Sequence, residues 1–420
     1  MEDHAMSEEQ QGITRRQFLG AAGAGALGMT MLDKLALAQD APAPPRKPLK
    51  QIARRPFGKT GLTLPVLGMG SSPLVAAWSR GYGSRAASVE SRAALVRHAY
   101  ERGIRYFDTA RSYYDAEEVM GRGLKGVASN CVIASKVTVR APELVRRSVE
   151  KSLEVLGVDR VAIMQIHSSG AIEHGGFEPA MKVHAELVKL RDRGLLKYIG
   201  LTTHVAFETV YKMIATGGFD QALLAICYFN KGMSTLISEE NRRWREKCLD
   251  KAHDMGMAVV AMKVMGVSIF GRMSKYVVPN YDAAARGKLP AAAMRWALSD
   301  KRVSLLAIGM GYREEVDQNA ATLSADLTLT DADRKLLADY SAKAYKSPRI
   351  KAMGVDQEKR SSEETARTVI EQNDKDGDGR LSRREFPSGQ LQYFDACDRD
   401  NDGYASLSEL AEAIKRRRSQ

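Results

Sequence analysis

The sequence predicts an α/β fold, a (β/α)8 barrel of parallel strands, with a small all-α domain behind it. Three observations point there. Short, near-continuous apolar runs alternate with amphipathic helical stretches from Arg54 onward, and such runs argue strands buried on both faces. Eight of these units fit into about 260 residues, which argues a closed barrel rather than an open sheet. After Ala342 the chain turns polar, and two Asp-rich loops of twelve residues follow.

The units can be read in order. Strand candidates are Val66–Gly70, Ile104–Asp108, Val132–Lys136, Val161–His167, Tyr198–Thr202, Ala222–Tyr228, Ala258–Met262 and Leu305–Gly309. Helical stretches lie between them, among them Ser88–Gly103, Ala141–Leu156, Pro179–Gly194 and Glu239–Gly256. An open dinucleotide-binding sheet needs a glycine turn after its first strand. Here that turn is Gly70-Ser71-Ser72-Pro73, without the glycine spacing. The reading divides the chain into a leader (1–38), a Pro-rich linker (39–53), the barrel (54–342), a second linker (343–368) and a paired-loop domain (369–416).

Composition narrows the function classes. With 420 residues, 44% hydrophobic and 27% charged, the chain can bury a large core and is neither disordered nor collagen-like. The net charge of +12 is scattered, with no basic stripe interleaved with aromatics, so no nucleic-acid partner is expected. The four cysteines, Cys131, Cys227, Cys248 and Cys397, form no CxxC pair and are too sparse for a disulfide scaffold or a zinc site. No run of about eighteen apolar residues suggests a transmembrane helix.

The leader reads Thr14-Arg15-Arg16-Gln17-Phe18-Leu19, then a weakly apolar stretch from Gly20 to Leu32, then Leu35-Ala36-Leu37-Ala38. A charged start, a short apolar middle and an A-x-A ending make a signal peptide. Its paired arginines resemble the twin-arginine export address, a receptor-read signal rather than an anchor. This implies an exported protein, periplasmic or extracellular, handled by the twin-arginine machinery. Gly23, Gly25 and Gly28 form a GxGxxG, but it follows no strand and is not a nucleotide fingerprint.

In barrels of this kind catalytic groups sit at the carboxyl ends of the strands. Asp108 ends the second candidate strand, Lys136 the third and His167 the fourth, while Tyr113 lies in the loop after Asp108. Core packing does not place polar residues at three successive strand ends, because a buried unpaired charge is costly.

Asp108-Thr109-Ala110 with Tyr113, then Glu117 and Gly121, resembles the D-T-A-x-x-Y signature of aldo/keto reductases. Ile133-Ala134-Ser135-Lys136 and the run from Leu156 to His167 resemble the lysine and histidine motifs of that family. Phe57-Gly58-Lys59-Thr60-Gly61-Leu62 resembles the hairpin that plugs the bottom of its barrel. The resemblance runs from about Arg54 to Leu327. It implies a TIM barrel, a nicotinamide cofactor, and a catalytic tetrad of Asp108, Tyr113, Lys136 and His167. The chemistry agrees: a tyrosine at its usual pKa near 10 is a poor acid at neutral pH. A neighbouring Lys136 ammonium is expected to lower it, with Asp108 holding the lysine, and His167 can polarise a carbonyl oxygen.

By the same resemblance Thr202 and Thr203 stand where the family binds the nicotinamide carboxamide through Ser-Asn. The family's strand-six glutamine falls near Ala225. Met262 or Lys263 would have to cover the nicotinamide ring. Gly309, Met310, Gly311, Arg313 and Asn319 resemble the adenosine-phosphate segment, whose backbone amides lead into a helix, a natural phosphate seat. Arg313 is the one side-chain candidate for a 2′-phosphate and favours NADP over NAD. Trp78, Tyr82, His204 and a loop Val267–Pro290, with Phe270 and Tyr276, are expected to line the mouth.

The two polar loops run from Asp374 to Glu385 and from Asp398 to Glu409, and both fit the twelve-residue EF-hand loop. Asp374, Asp376, Asp378 and Glu385 supply carboxylates in the first, and Asp398, Asp400, Asp402 and Glu409 in the second. Arg380 and Tyr404 would add their carbonyls, completing all-oxygen cages suited to calcium. The loops start only 24 residues apart (398 − 374), and Ala405 is small at the eighth position, where such loops pair. The sequence therefore points to an exported oxidoreductase that transfers hydride between NADP, or NAD, and a small carbonyl or alcohol, with a calcium-binding tail. The competing reading is a calcium-dependent binding module on a barrel that has lost turnover.

Overall fold

The computed structural model describes residues 51–75, 88–229, 239–350, 362–387, 391 and 393–419. The expected signal peptide, most of the first linker, Trp78 and Tyr82 lie outside the described residues.

A hairpin of β1 (Arg54–Pro56) and β2 (Thr63–Pro65) opens the described chain and pairs Arg54 with Pro65. Its turn sends Phe57, fully buried, against Tyr106 at a centroid distance of 5.8 Å. Together with Leu64, Val132, Ile163, Leu223, Val260 and Leu305 these two rings fill the lower interior of the sheet. Burying such side chains contributes roughly 1.5–3 kcal/mol each.

Eight parallel strands follow: β3 (Leu67–Gly70), β4 (Tyr106–Asp108), β5 (Val132–Val137), β6 (Val161–Ile166), β7 (Leu196–Thr203), β8 (Gln221–Ala225), β9 (Ala258–Met262) and β10 (Leu305–Gly309). β10 pairs with β9 on one side and with β3 on the other, through Leu306 opposite Leu67 and Gly309 opposite Gly70, which closes the barrel. β8 is shorter than its apolar run: Ile226 and Cys227 stay buried but leave the ladder beyond Ala225. Apart from Lys197 near the start of β7 and Gly309 at the end of β10, which are exposed, the strands are largely buried on both sides, as apolar runs of this kind require. Outside the barrel, Leu95, Val149, Leu187, Val210, Leu298 and Leu323 press helices onto the sheet in one continuous core.

The segment expected as an open mouth loop, Val267–Pro290, is more ordered than that. It holds a short helix Ser274–Val277, and its end is the start of the helix Ala283–Ser299, which contains Pro290. Phe270 does not line the mouth. It is fully buried among Tyr228, Phe229 and Tyr340, with centroids 5.9–6.4 Å away. The Tyr340 hydroxyl, from the helix Asp331–Lys346, donates to the carbonyls of Ile269 and Ser274 and ties this segment down. Tyr276 is exposed and meets Lys275 and Arg349.

The tail has its own small core of Ala366, Ile370, Leu381, Phe386, Phe394, Cys397, Ala405 and Leu410. Helices Ser362–Asn373 and Leu407–Ser419 flank it, and the helix Phe394–Cys397 between the loops has only four residues. The tail is not wholly helical. β11 (Leu381–Ser382) and β12 (Tyr404–Ala405) pair antiparallel, Leu381 opposite Ala405, so the two eighth positions meet despite the small side chain. The Tyr393 ring lies 5.1 Å from that of His174, in a short helix just beyond His167.

Candidate active site

The ladder places the expected tetrad at adjoining strand ends. Asp108 closes β4 and Lys136 lies near the end of β5, while His167 follows β6 directly. The Lys136 ammonium donates to Asp108 Oδ1 at 2.6 Å and to the Thr109 carbonyl at 2.7 Å. It lies 5.0 Å from the centre of the Tyr113 ring, and that ring meets His167 edge-on at 5.8 Å. All four groups are thus in one cluster at the carboxyl end of the barrel.

Burial governs the electrostatics. Desolvation opposes the Lys136 charge, but Asp108, Tyr113 and Glu117 outweigh it and hold the lysine above its ordinary value. Tyr113 moves up as well. Burial is the largest cause, Lys136 pulls the other way, and Asp108 pushes up again. The expected lowering of the phenol by Lys136 is therefore present but outweighed by burial. His167 is pushed well below its usual range by burial, then by Lys136 and His204, so it stands as a neutral imidazole. Its Nδ1 lies 3.4 Å from the hydroxyls of both Ser112 and Ser169. Hydroxyls donating there leave the ring proton on Nε2.

His204 is pushed down to about 3 by burial, with Lys263 and Lys136 adding to the effect, and its Nδ1 is buried without a partner among the described residues. The unfolded chain therefore takes up the proton first as pH falls. Stability should decline from roughly pH 6.5 toward 3 and be insensitive to this group above that window. Thermal melts across the window should show a shallower acid slope in His204→Gln; an identical slope would contradict the assignment.

The expected cofactor residues divide. Thr202 is buried, and its hydroxyl has no partner among the described residues. Thr203 is otherwise engaged: its Oγ1 accepts from the amides of Val205 and Ala206 at 3.2 and 2.9 Å. Met262 ends β9 half-buried, and Lys263 follows it in a left-handed conformation (φ 63°). Gly309 ends β10 exposed, but the Met310 side chain is fully buried in the outer core and cannot line a groove. The Gly311 amide is held by the Glu315 carboxylate at 2.8 Å, and Glu315 also pairs with Arg272. Arg313 reaches His98 Nδ1 at 3.3 Å. Asn319 is buried on the same helix, Arg313–Leu323.

Spacing alone does not reveal several neighbours of the tetrad. Glu117 is fully buried, pairs with Arg111, and accepts from the Ser135 hydroxyl at 2.6 Å behind Lys136. Gln165 donates to Asp108 Oδ2 at 2.9 Å. Glu117 already stands in the signature quoted above; for Gln165 the one available signal was a glutamine inside an otherwise apolar strand.

In the tail, single carboxylate oxygens of Asp374, Asp376 and Asp378 lie within 4.8 Å of one another, as do those of Asp398, Asp400 and Glu409. Glu385 stands outside the first group, accepting from the backbone amide of Lys375 and from the Ser382 amide and hydroxyl. Asp402 stands outside the second; its Oδ2 takes the Arg380 guanidinium at 3.3 Å. That guanidinium also covers the Tyr404 ring at 4.1 Å.

The fold and site define a closed parallel barrel with a buried Asp–Lys–Tyr–His cluster at its carboxyl end, where barrels of this kind place their catalytic groups. Residues 67–339 match the aldo/keto reductase family, and the chain belongs to that family as an NAD(P)-dependent oxidoreductase. An L-galactose dehydrogenase from Arabidopsis thaliana is 25% identical over 323 residues, covering 70% of this chain and 95% of that protein. A pyridoxal 4-dehydrogenase from Microbacterium luteolum is 25% identical over 343 residues, covering 64% and 93%. Among solved structures, an aldo-keto reductase from Klebsiella pneumoniae in complex with NADPH shares the fold, with a TM-score of 0.52 and 20% identity over 70% of this chain and 95% of that one.

Proposed function

We propose that the barrel interconverts a small carbonyl compound and its alcohol, with Asp108, Tyr113, Lys136 and His167 as the reacting tetrad. The observation that carries this is their convergence, with Lys136 bonded to Asp108 and set against the Tyr113 ring. Residues at the nicotinamide end fit the cofactor: the Thr202 hydroxyl and His204 Nδ1 are buried without a partner among the described residues, and the cofactor's polar groups would satisfy them. Lys263 adds a cation beside them. When bound, the cofactor would give or take the hydride. His167 Nε2–H would donate to the substrate oxygen as negative charge develops there, which a neutral imidazole can do at any pH above its low value. Tyr113 would pass its proton to that oxygen, and Lys136 would stabilise the phenolate left behind.

Arg313 supports NADP over NAD, while the Glu315 carboxylate must leave the Gly311 amide before a phosphate can seat there. Fluorescence titration of the purified protein with NADPH, NADP⁺ and the NAD pair tests the reading: saturable changes are expected, tighter for NADP forms. No saturable change would leave the binding-module reading instead. The names of the relatives make an aldose sugar and pyridoxal the first substrates to screen.

The tail is proposed to bind calcium. The two loops present converging carboxylates, and Asp398 Oδ1 is buried with no hydrogen-bond partner among the described residues. A cation would satisfy that oxygen; the Asp378 amide lowers Asp376, but desolvation and then repulsion from Asp378, Glu385 and Asp374 hold it above its usual value, and a cation would relieve that repulsion. Calorimetric titration of the full chain should show binding at about 10⁻⁴–10⁻³ M, as in extracellular modules of this type. Binding should be lost in Glu385→Gln plus Glu409→Gln. Sub-micromolar affinity would make the tail a sensor, and no binding would end the calcium reading.

Export by the twin-arginine route is proposed from the leader sequence, with the nucleotide carried out already bound. Mass spectrometry of the denatured exported fraction should detect a nicotinamide dinucleotide; a nucleotide-free fraction would refute it.

A further inference from the structure

Below the tetrad, three polar side chains cross the apolar interior of the barrel. Tyr106, Gln165 and Gln221 have essentially no exposed surface. The Tyr106 hydroxyl donates to Gln221 Oε1 at 3.2 Å, Gln221 Nε2 donates to Gln165 Oε1 at 3.1 Å, and Gln165 Nε2 donates to Asp108 Oδ2 at 2.9 Å. Asp108 Oδ1 is left for Lys136. The chain thus climbs from the first residues of β4 and β8, through the penultimate residue of β6, to the end of β4.

Buried polar groups cost stability unless satisfied, and these replace side chains that could have been apolar. The barrel is also shaped around them. A Cβ on Gly68 would lie 2.7 Å from Tyr106 Cδ1, and one on Gly200 would lie 2.9 Å from Gln165 Cγ. Two strands therefore give up a side chain where the ring and the amide pass.

The order has a direction. A glutamine beside a carboxylate can turn either end toward it, and only the NH2 end attracts. The Asp108 carboxylate only accepts, so it takes the NH2 end of Gln165; this leaves the Gln165 oxygen for Gln221 and the Gln221 oxygen for the Tyr106 hydroxyl. At the far end, Tyr106 is packed against Phe57 of the bottom hairpin.

We propose that Gln165 is a positioning residue: with Gln221 and Tyr106 it forms a directional relay that fixes Asp108, and through it Lys136, against Tyr113. This rests on the reductase reading for its purpose, but not for its geometry. Without the Gln165 donor, Asp108 is free to rotate away from Lys136, and its charge is less satisfied. Both changes work against the Tyr113 phenolate.

The test is ring-¹³C tyrosine NMR on the full chain, with the Tyr113 signal identified by its loss in Tyr113→Phe. In Gln165→Leu the onset of Tyr113 ionisation should move up by about one pH unit, the size expected for losing one hydrogen bond to a charged group. Tyr106→Phe, which removes a single oxygen, should move it the same way by less. With NADPH and 4-nitrobenzaldehyde as the carbonyl probe, kcat in Gln165→Leu should fall about tenfold while KM for NADPH stays put. An unchanged Tyr113 onset in both variants, whatever their thermal stability, would overturn the relay. A shifted onset in a protein that reduces no carbonyl would uphold the relay and refute the reductase reading instead.

Discussion

Replacing Tyr113 by phenylalanine is expected to cut kcat by about 10²–10⁴, the usual worth of a positioned proton donor, while nucleotide affinity stays within a few-fold. The ring remains to pack edge-on against His167 at 5.8 Å and to lie beside the Lys136 ammonium, so the cluster keeps its shape and loses only the phenolic proton. Lys136 cannot take over. Asp108 and the Thr109 carbonyl occupy it at 2.6 and 2.7 Å, and it is held above its ordinary value, so it does not release a proton readily. Steady-state kinetics of the variant beside a cofactor titration check this. Turnover close to the parent's would remove Tyr113 from the chemistry.

Asp108→Ala should act on both stability and turnover. Lys136 has a side chain only 2% exposed, and removing its partner leaves a buried charge that typically costs about 3–5 kcal/mol, a fall in Tm on the order of ten degrees. The sign with pH follows from Lys136 being held above its unfolded value near 10.4. The pair's contribution is fully present below that value and is lost as pH rises through the folded one. Parent and variant should therefore differ most at neutral pH and converge in strongly alkaline solution. Melts at pH 7 and above pH 10 measure both, and equal Tm values at neutral pH would contradict the buried pair.

Much of this was legible because the barrel writes itself in period and punctuation. Apolar runs such as Val132-Ile133-Ala134 read as strands covered on both faces, and a charge at the end of such a run, like Lys136, belongs at the mouth. Asp108, Lys136 and His167 were visible for that reason. The relay was not. Gln165 and Gln221 lie 56 residues apart, and their bond arises only because β6, β7 and β8 are adjacent in the closed sheet. Phe270 misled in the opposite sense: an aromatic in a presumed loop reads as exposed, yet Tyr340, about 70 residues further on, supplies the ring and hydroxyl that bury it. Thr203 and Gly311 carry the right atoms for a cofactor, but nearer backbone and side-chain partners hold them. Competition of that kind cannot be read from residue type.

A single-turnover experiment reaches the centre of the matter. Protein loaded with one equivalent of NADPH is mixed with pyridoxal, an aldose panel and simple aromatic aldehydes, and the fluorescence of the reduced nicotinamide is followed. One nucleotide oxidised per barrel by at least one of these, and far more slowly in Tyr113→Phe, is the predicted result. A nucleotide that binds saturably but is never oxidised by any carbonyl, nor its oxidised form reduced by any alcohol, would contradict the assignment of the tetrad as a working reductase centre.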